Sequence, residues 1–154
     1  MIFDEQGYLT PYDVQKITLK GFGETFGTNE SRQSLLVEYY AFIEHLNYLG
    51  INNFYQWIDG SFVTDKMNPN DIDIVTFIEA DLFVKNEKKL IHLIAPESKL
   101  LYKVDAAFVG VYPLNHKLRI VTDWDITFWK DFYGNTRPDT HQKQMPKGFI
   151  QLNF

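Results

Sequence analysis

Apolar residues recur along the chain in two rhythms, one with the period of a helix and one with the period of a strand. Over residues 29–49 the helical period holds: Leu35, Leu36, Tyr39, Phe42, Ile43, Leu46 and Leu49 share one stripe, and Gly50 closes it. Trp124, Phe128 and Phe132 mark a second helical stripe, with Gly134 after it. Residues 81–94 also read as a helix, stopped by Pro96. Near the start, Thr10 as N-cap and Pro11 at the first helical position predict a short helix ended by Gly21 and Gly23. Strand-like runs, rich in β-branched and aromatic residues, fall at 54–58, 71–78 and 102–112, the last stopped by Pro113. Residues 135–147 are polar and loop-like, and 148–154 predict a closing strand. The order is helices, strand, strand, helix, strand, helix, strand. It predicts a mixed α/β (α+β) domain, with a small mixed sheet flanked by helices.

The length of 154 residues suits one domain. Its expected parts are N-terminal helices over 10–50, a sheet core over 53–112, and a C-terminal helix and strand over 118–154. Aromatic residues make up 16% of the chain; most are expected to pack a core. The formal net charge of −5 argues against a protein that coats long nucleic acid, yet leaves room for a nucleotide held through metal ions. There is no cysteine, so disulfides and thiolate metal sites are excluded. The run of about eighteen apolar residues needed to span a bilayer is missing, so no membrane is expected. The start, Met1-Ile2-Phe3-Asp4-Glu5, lacks the form of a signal peptide, and a cytoplasmic location is expected.

The candidate chemistry lies in the middle of the chain. Asp71 and Asp73 are spaced i, i+2 in an apolar run, so on a strand both leave the same face. Two carboxylates aimed at one spot repel each other. A divalent cation removes that cost, and oxygen-only ligands suit Mg²⁺ or Mn²⁺. Upstream, Trp57-Ile58-Asp59-Gly60-Ser61 ends a strand in a Gly-Ser turn. Glycine allows close backbone approach and Ser61 adds a hydroxyl, so Gly60 and Ser61 are expected to hold the phosphates of a nucleoside triphosphate. Asp105 is a lone carboxylate in the apolar run Lys103-Val104-Asp105-Ala106-Ala107. If its strand pairs beside that of Asp71 and Asp73, three acids converge as metal ligands, and Asp105 is placed to take an acceptor's proton. The alternative for Asp105 is an ion pair with a neighbouring lysine; Lys103 shares its face. Lys66 stands in the loop before Asp71 within reach of phosphates, with a solvated loop lysine as the alternative. The four histidines are scattered and no Gly-x-x-x-x-Gly-Lys-(Ser/Thr) loop is present.

Gly60-Ser61, nine intervening residues, Asp71-Ile72-Asp73 and a later Asp105 together resemble the DNA-polymerase-beta-like nucleotidyltransferase superfamily. More loosely, Phe3-Asp4-Glu5-Gln6-Gly7, Asp59-Gly60-Ser61-Phe62-Val63-Thr64, Phe128-Trp129-Lys130-Asp131-Phe132 and Pro146-Lys147-Gly148 resemble a short bacterial branch of it. The resemblance implies a minimal nucleotidyltransferase domain with NTP and Mg²⁺ as ligands. Asp71, Asp73 and Asp105 would be its catalytic, metal-binding acids, moving a nucleoside monophosphate to a hydroxyl acceptor on tRNA, protein or a small molecule. Relatives belong to toxin–antitoxin or phage-defence pairs, so a partner protein encoded nearby is a further expectation. The competing reading is an inactive binding module, an antitoxin or NTP-sensing subunit. Two departures stand out: Asp59 replaces the usual hydrophobic residue before the glycine, and no second domain is evident to supply an acceptor or base pocket.

Overall fold

The computed structural model describes residues 2–154, apart from the side chain of Ile2. Two short strands, β1 (Ile2–Phe3) and β2 (Leu9–Thr10), form an antiparallel pair of their own. The main sheet has five strands in the order β3-β7-β4-β5-β6. They are β3 (Val14–Lys16), β4 (Phe54–Asp59), β5 (Ile72–Glu79), β6 (Val104–Val111) and β7 (Phe149–Asn153). β4 runs antiparallel to both β5 and β7, whereas β5–β6 and β3–β7 are parallel. The helices are α1 (Leu19–Phe26), α2 (Glu30–Tyr48), α3 (Ala80–Leu90), α4 (Glu97–Tyr102) and α5 (Arg119–Gly134). The mixed α/β class follows from these elements.

Residue parity divides the sheet into two faces, because successive strand side chains point opposite ways. Even-numbered Ile58, Ile72, Ile74, Ile78, Val104 and Ala106 join the larger core beneath α1 and α2. There they meet Phe22 and Phe26 of α1 and Leu36, Tyr39, Phe42 and Leu46 of α2, all buried. One polar relay crosses this core: Tyr39 Oη donates to Gln56 Oε1 at 2.5 Å, and Gln56 Nε2 donates to Thr76 Oγ1 at 2.9 Å. Both Gln56 and Thr76 are fully buried, so each donor or acceptor must find its partner inside the protein. Odd-numbered Trp57, Val75, Phe77, Val109 and Phe149 form a smaller core with Tyr133 of α5.

Two expectations need correction. No helix begins at Thr10–Pro11; residues 9–10 lie in β2, and 14–16 form β3. The helix starts later, with Thr18 as its N-cap accepting from the Gly21 amide at 3.0 Å. It runs through Gly21 and Gly23 rather than ending there, because burial of Phe22 and Phe26 outweighs the weak helix propensity of glycine. Gly23 also makes room for α2: a β-carbon there would stand 2.6 Å from Tyr40 Oη. Second, the helix expected over 81–94 is α3 followed by a 3₁₀ turn at Ile91–Leu93, and residue 102 ends α4 instead of opening a strand. Lys103 then takes a left-handed conformation (φ 55°) before β6 begins. The stripe of Trp124, Phe128 and Phe132 does lie on a helix, α5, and on its outward side. These side chains are 73%, 57% and 56% exposed, while α5 buries Thr122 and Tyr133.

Candidate functional site

The register of three neighbouring strands decides the site. Asp59 at the end of β4 stands opposite Asp73 in β5, and Asp73 stands opposite Asp105 in β6. Directly opposed residues share a face with β-carbons roughly 4.5–5.5 Å apart, so the three carboxylates form one row across the sheet. Asp71, two residues before Asp73, belongs to the same face. All four are odd-numbered, so the row continues the smaller core out to the edge of α5. The expected meeting of Asp71, Asp73 and Asp105 is therefore present, with Asp59 as a fourth member.

Gly60 follows Asp59 and turns the chain directly against this row. Its φ of 75° and ψ of −166° lie where only glycine is at ease. A β-carbon on it would fall 1.7 Å from Asp73 Oδ2. Ser61 opens a 3₁₀ turn, Ser61–Val63, pinned by the buried side chains of Phe62 and Val63. From below, Arg32 of α2 holds the following loop. Its guanidinium donates to the carbonyls of Phe26, Phe62, Thr64 and Lys66 at 2.8–3.0 Å and lies 5.0 Å from the Phe62 ring centre. Arg32 is buried, yet its partners are backbone dipoles in a fork geometry that a guanidinium fits.

Two lysines balance the acids. Lys99 of α4 places Nζ 2.5 Å from Asp71 Oδ2 and 3.1 Å from Asp105 Oδ2. Lys147, in the segment before β7, is buried and donates to both oxygens of Asp59. The Asp73 carboxylate has no ion-pair or hydrogen-bonding partner among the described residues. Burial, followed by the charges of Asp71, Asp59 and Asp105, pushes its carboxyl up to about 6, against a smaller pull from Lys99. Burial likewise lifts Asp59, with Lys147 opposing. Hydrogen bonds to Asp71 and Asp105 raise Lys99. Tyr133 of α5 is raised well above its ordinary value, first by burial and then by the charges of Asp59, Asp73 and Asp105. That phenol closes the helix side of the row.

The donor set is all oxygen, which fits a hard divalent cation such as Mg²⁺ or Mn²⁺. Among the described residues no three His, Asp or Glu side chains stand ready to ligate one ion as they are. The Lys99 ammonium bridges Asp71 and Asp105. The alternative for Asp105, an ion pair with a nearby lysine, is the contact present in the structure, and the lysine is Lys99. Lys66 lies on the exposed loop, and only its backbone is engaged, by Arg32 and Thr64; no interaction joins its ammonium to the acid row. The sequence reading did not single out Lys99, Lys147 or Tyr133. Lys99 precedes Asp105 by only six residues, a weak signal, and Lys147 lies in the loosely matching Pro146-Lys147-Gly148.

A model of one protein family, a family of unknown function designated DUF6932, matches residues 1–153. The chain belongs to the DUF6932 family. No curated protein and no solved structure matches it. The DUF6932 match spans the whole acid row, the Gly60 turn and both lysines. Among the described residues no helix is long and apolar enough to cross a membrane.

Proposed function

We propose that this DUF6932 chain is a metal-dependent nucleotidyltransferase of the polymerase-beta-like type. It would move a nucleoside monophosphate from an NTP to a hydroxyl acceptor. The observation that carries the reading is the register pairing of Asp73 with Asp105, with Asp71 on the same face and Gly60 pressed against Asp73. The antiparallel β4–β5 pair joined through Gly60-Ser61 supports it further, because it sets a glycine turn beside the acids. Asp71, Asp73 and Asp105 would hold Mg²⁺ or Mn²⁺, which when bound offsets charge on the phosphoryl group and aligns the oxygens. The Gly60–Ser61 turn would bind the triphosphate tail through backbone N–H groups and the Ser61 hydroxyl. The acceptor oxygen would bond to the α-phosphorus as pyrophosphate leaves, and Asp105 would take the acceptor's proton. Lys99 would swing off Asp71 and Asp105 toward the phosphates, its charge remaining in the site. Buried Tyr133 lies beside the acids on the helix side. Asp73→Ala should abolish NTP-dependent labelling of tRNA or protein in a cell extract while the circular dichroism spectrum is unchanged; persistent labelling rejects the assignment.

One observation favours a second reading. Lys99 and Lys147 already form ion pairs with Asp71, Asp105 and Asp59 from within the chain, as expected of an NTP-sensing or antitoxin module that has lost turnover. A rise in melting temperature with NTP and Mg²⁺, without labelling of any acceptor, would select it.

A further inference from the structure

The face of α5 opposite the sheet is apolar where a surface helix is normally polar. Ile120, Val121, Trp124, Phe128 and Phe132 are between 46% and 73% exposed. Phe128 and Phe132 stack on each other with ring centres 5.8 Å apart, so part of the face is already ordered. Two charges bracket it. Asp131 follows Trp124 by seven residues, two helical turns, and Lys117 precedes it by seven in the turn that leads into the helix. Their neighbours are already paired, Arg119 with Asp123 and Lys130 with Asp13, whereas Lys117 and Asp131 have no ion-pair partner among the described residues.

We propose that this face is where a second copy of the chain docks, with two α5 helices packed antiparallel about a two-fold axis through Trp124. A two-fold interface must be self-complementary: where residue i meets j, j must meet i. An axis at Trp124 meets that demand. It places Lys117 of each copy opposite Asp131 of the other, Ile120 opposite Phe128, and Trp124 against itself. Trp124 and Phe128 put aromatic side chains at the centre of this face, the residue types that anchor specific interfaces. A nucleic acid fits poorly, since Asp123, Asp125 and Asp131 line the helix and the chain carries a net charge of −5.

Sedimentation equilibrium of the full chain tests this. Wild type at about 100 µM, far above the micromolar dissociation constant of an ordinary specific pair, should sediment at twice 18.1 kDa. The variant Trp124→Glu/Phe128→Asp should sediment at 18.1 kDa with an unchanged circular dichroism spectrum. Lys117→Glu and Asp131→Lys should each weaken association about fivefold or more, and the two combined should restore it, because only a like partner brings position 117 to position 131. A monomeric wild type overturns the proposal and leaves the face to a different protein. So does a dimer that survives Trp124→Glu/Phe128→Asp, or a charge swap that fails to rescue.

Discussion

The Asp73 carboxylate rests on the open side of Gly60, in space that any β-carbon would occupy: the atom would fall 1.7 Å from Asp73 Oδ2. Gly60→Ala therefore meets two penalties at once, the clash and a backbone conformation that L side chains rarely adopt. We expect a loss of about 2 kcal/mol or more, seen as a lower urea midpoint. In the proposed reading, labelling activity should be lost even where the variant folds, because the clash pushes Asp73 out of the row. Full stability and activity in Gly60→Ala would show that the turn can move away freely.

Asp73 should make stability depend on pH in an unusual direction. Its carboxyl titrates near 6 in the folded protein and near 3.9 in an unfolded chain. Between those values the folded state binds more protons, so this group's contribution rises as pH falls from above 6 to about 4. Asp73→Asn removes the penalty of the buried charge. With EDTA present it should be more stable than wild type by about 2–3 kcal/mol at pH 7–8, shrinking toward zero by about pH 4. Urea unfolding at several pH values measures this; a difference that does not vary with pH would mean that Asp73 is not crowded by its neighbours.

Lys99→Met tests the internal cation. Lys99 is about half exposed, so its ion pairs are screened and their loss should cost less than about 1 kcal/mol. Asp71 and Asp105 would then face each other without a positive charge between them. In the proposed reading, Mn²⁺ should bind about tenfold more tightly than to wild type, measured by titration calorimetry. Unchanged Mn²⁺ affinity would mean that the ammonium and the ion do not compete.

Arg32→Lys should be far from conservative. One ammonium cannot reach four carbonyls spread around a planar fork, and those of Phe26 and Phe62 are buried. The expected cost is about 3 kcal/mol, and hydrogen exchange over residues 61–67 should accelerate. If only exchange changes, Arg32 orders the loop without supporting the core.

Much of this arrangement was legible in the residue pattern. The stripe of α2, the strands β4 to β7 and the shared face of Asp71 and Asp73 follow from periods of 3.6 and 2, which are local properties. The N-terminal stretch misled because Thr10-Pro11 has the form of a helix start, whereas residues 14–16 are claimed by β7 from the far end of the chain. Lys147 reaches Asp59 across 88 positions, and no local rule signals such a pair. The stripe on α5 carried a different lesson. Period 3.6 reveals that a helix has an apolar side; it does not reveal whether its own chain covers that side.

The alternation of Ile72, Asp73, Ile74 and Val75 makes β5 intolerant of mispairing. A slip of one position against β4 or β6 would trade the two sides of the strand. Asp71 and Asp73 would be thrust among the side chains of α2, and Ile72 and Ile74 would stand where the acids belong. One alignment of β5 therefore settles both sides of the sheet at once, the packed side under α2 and the acidic side toward α5.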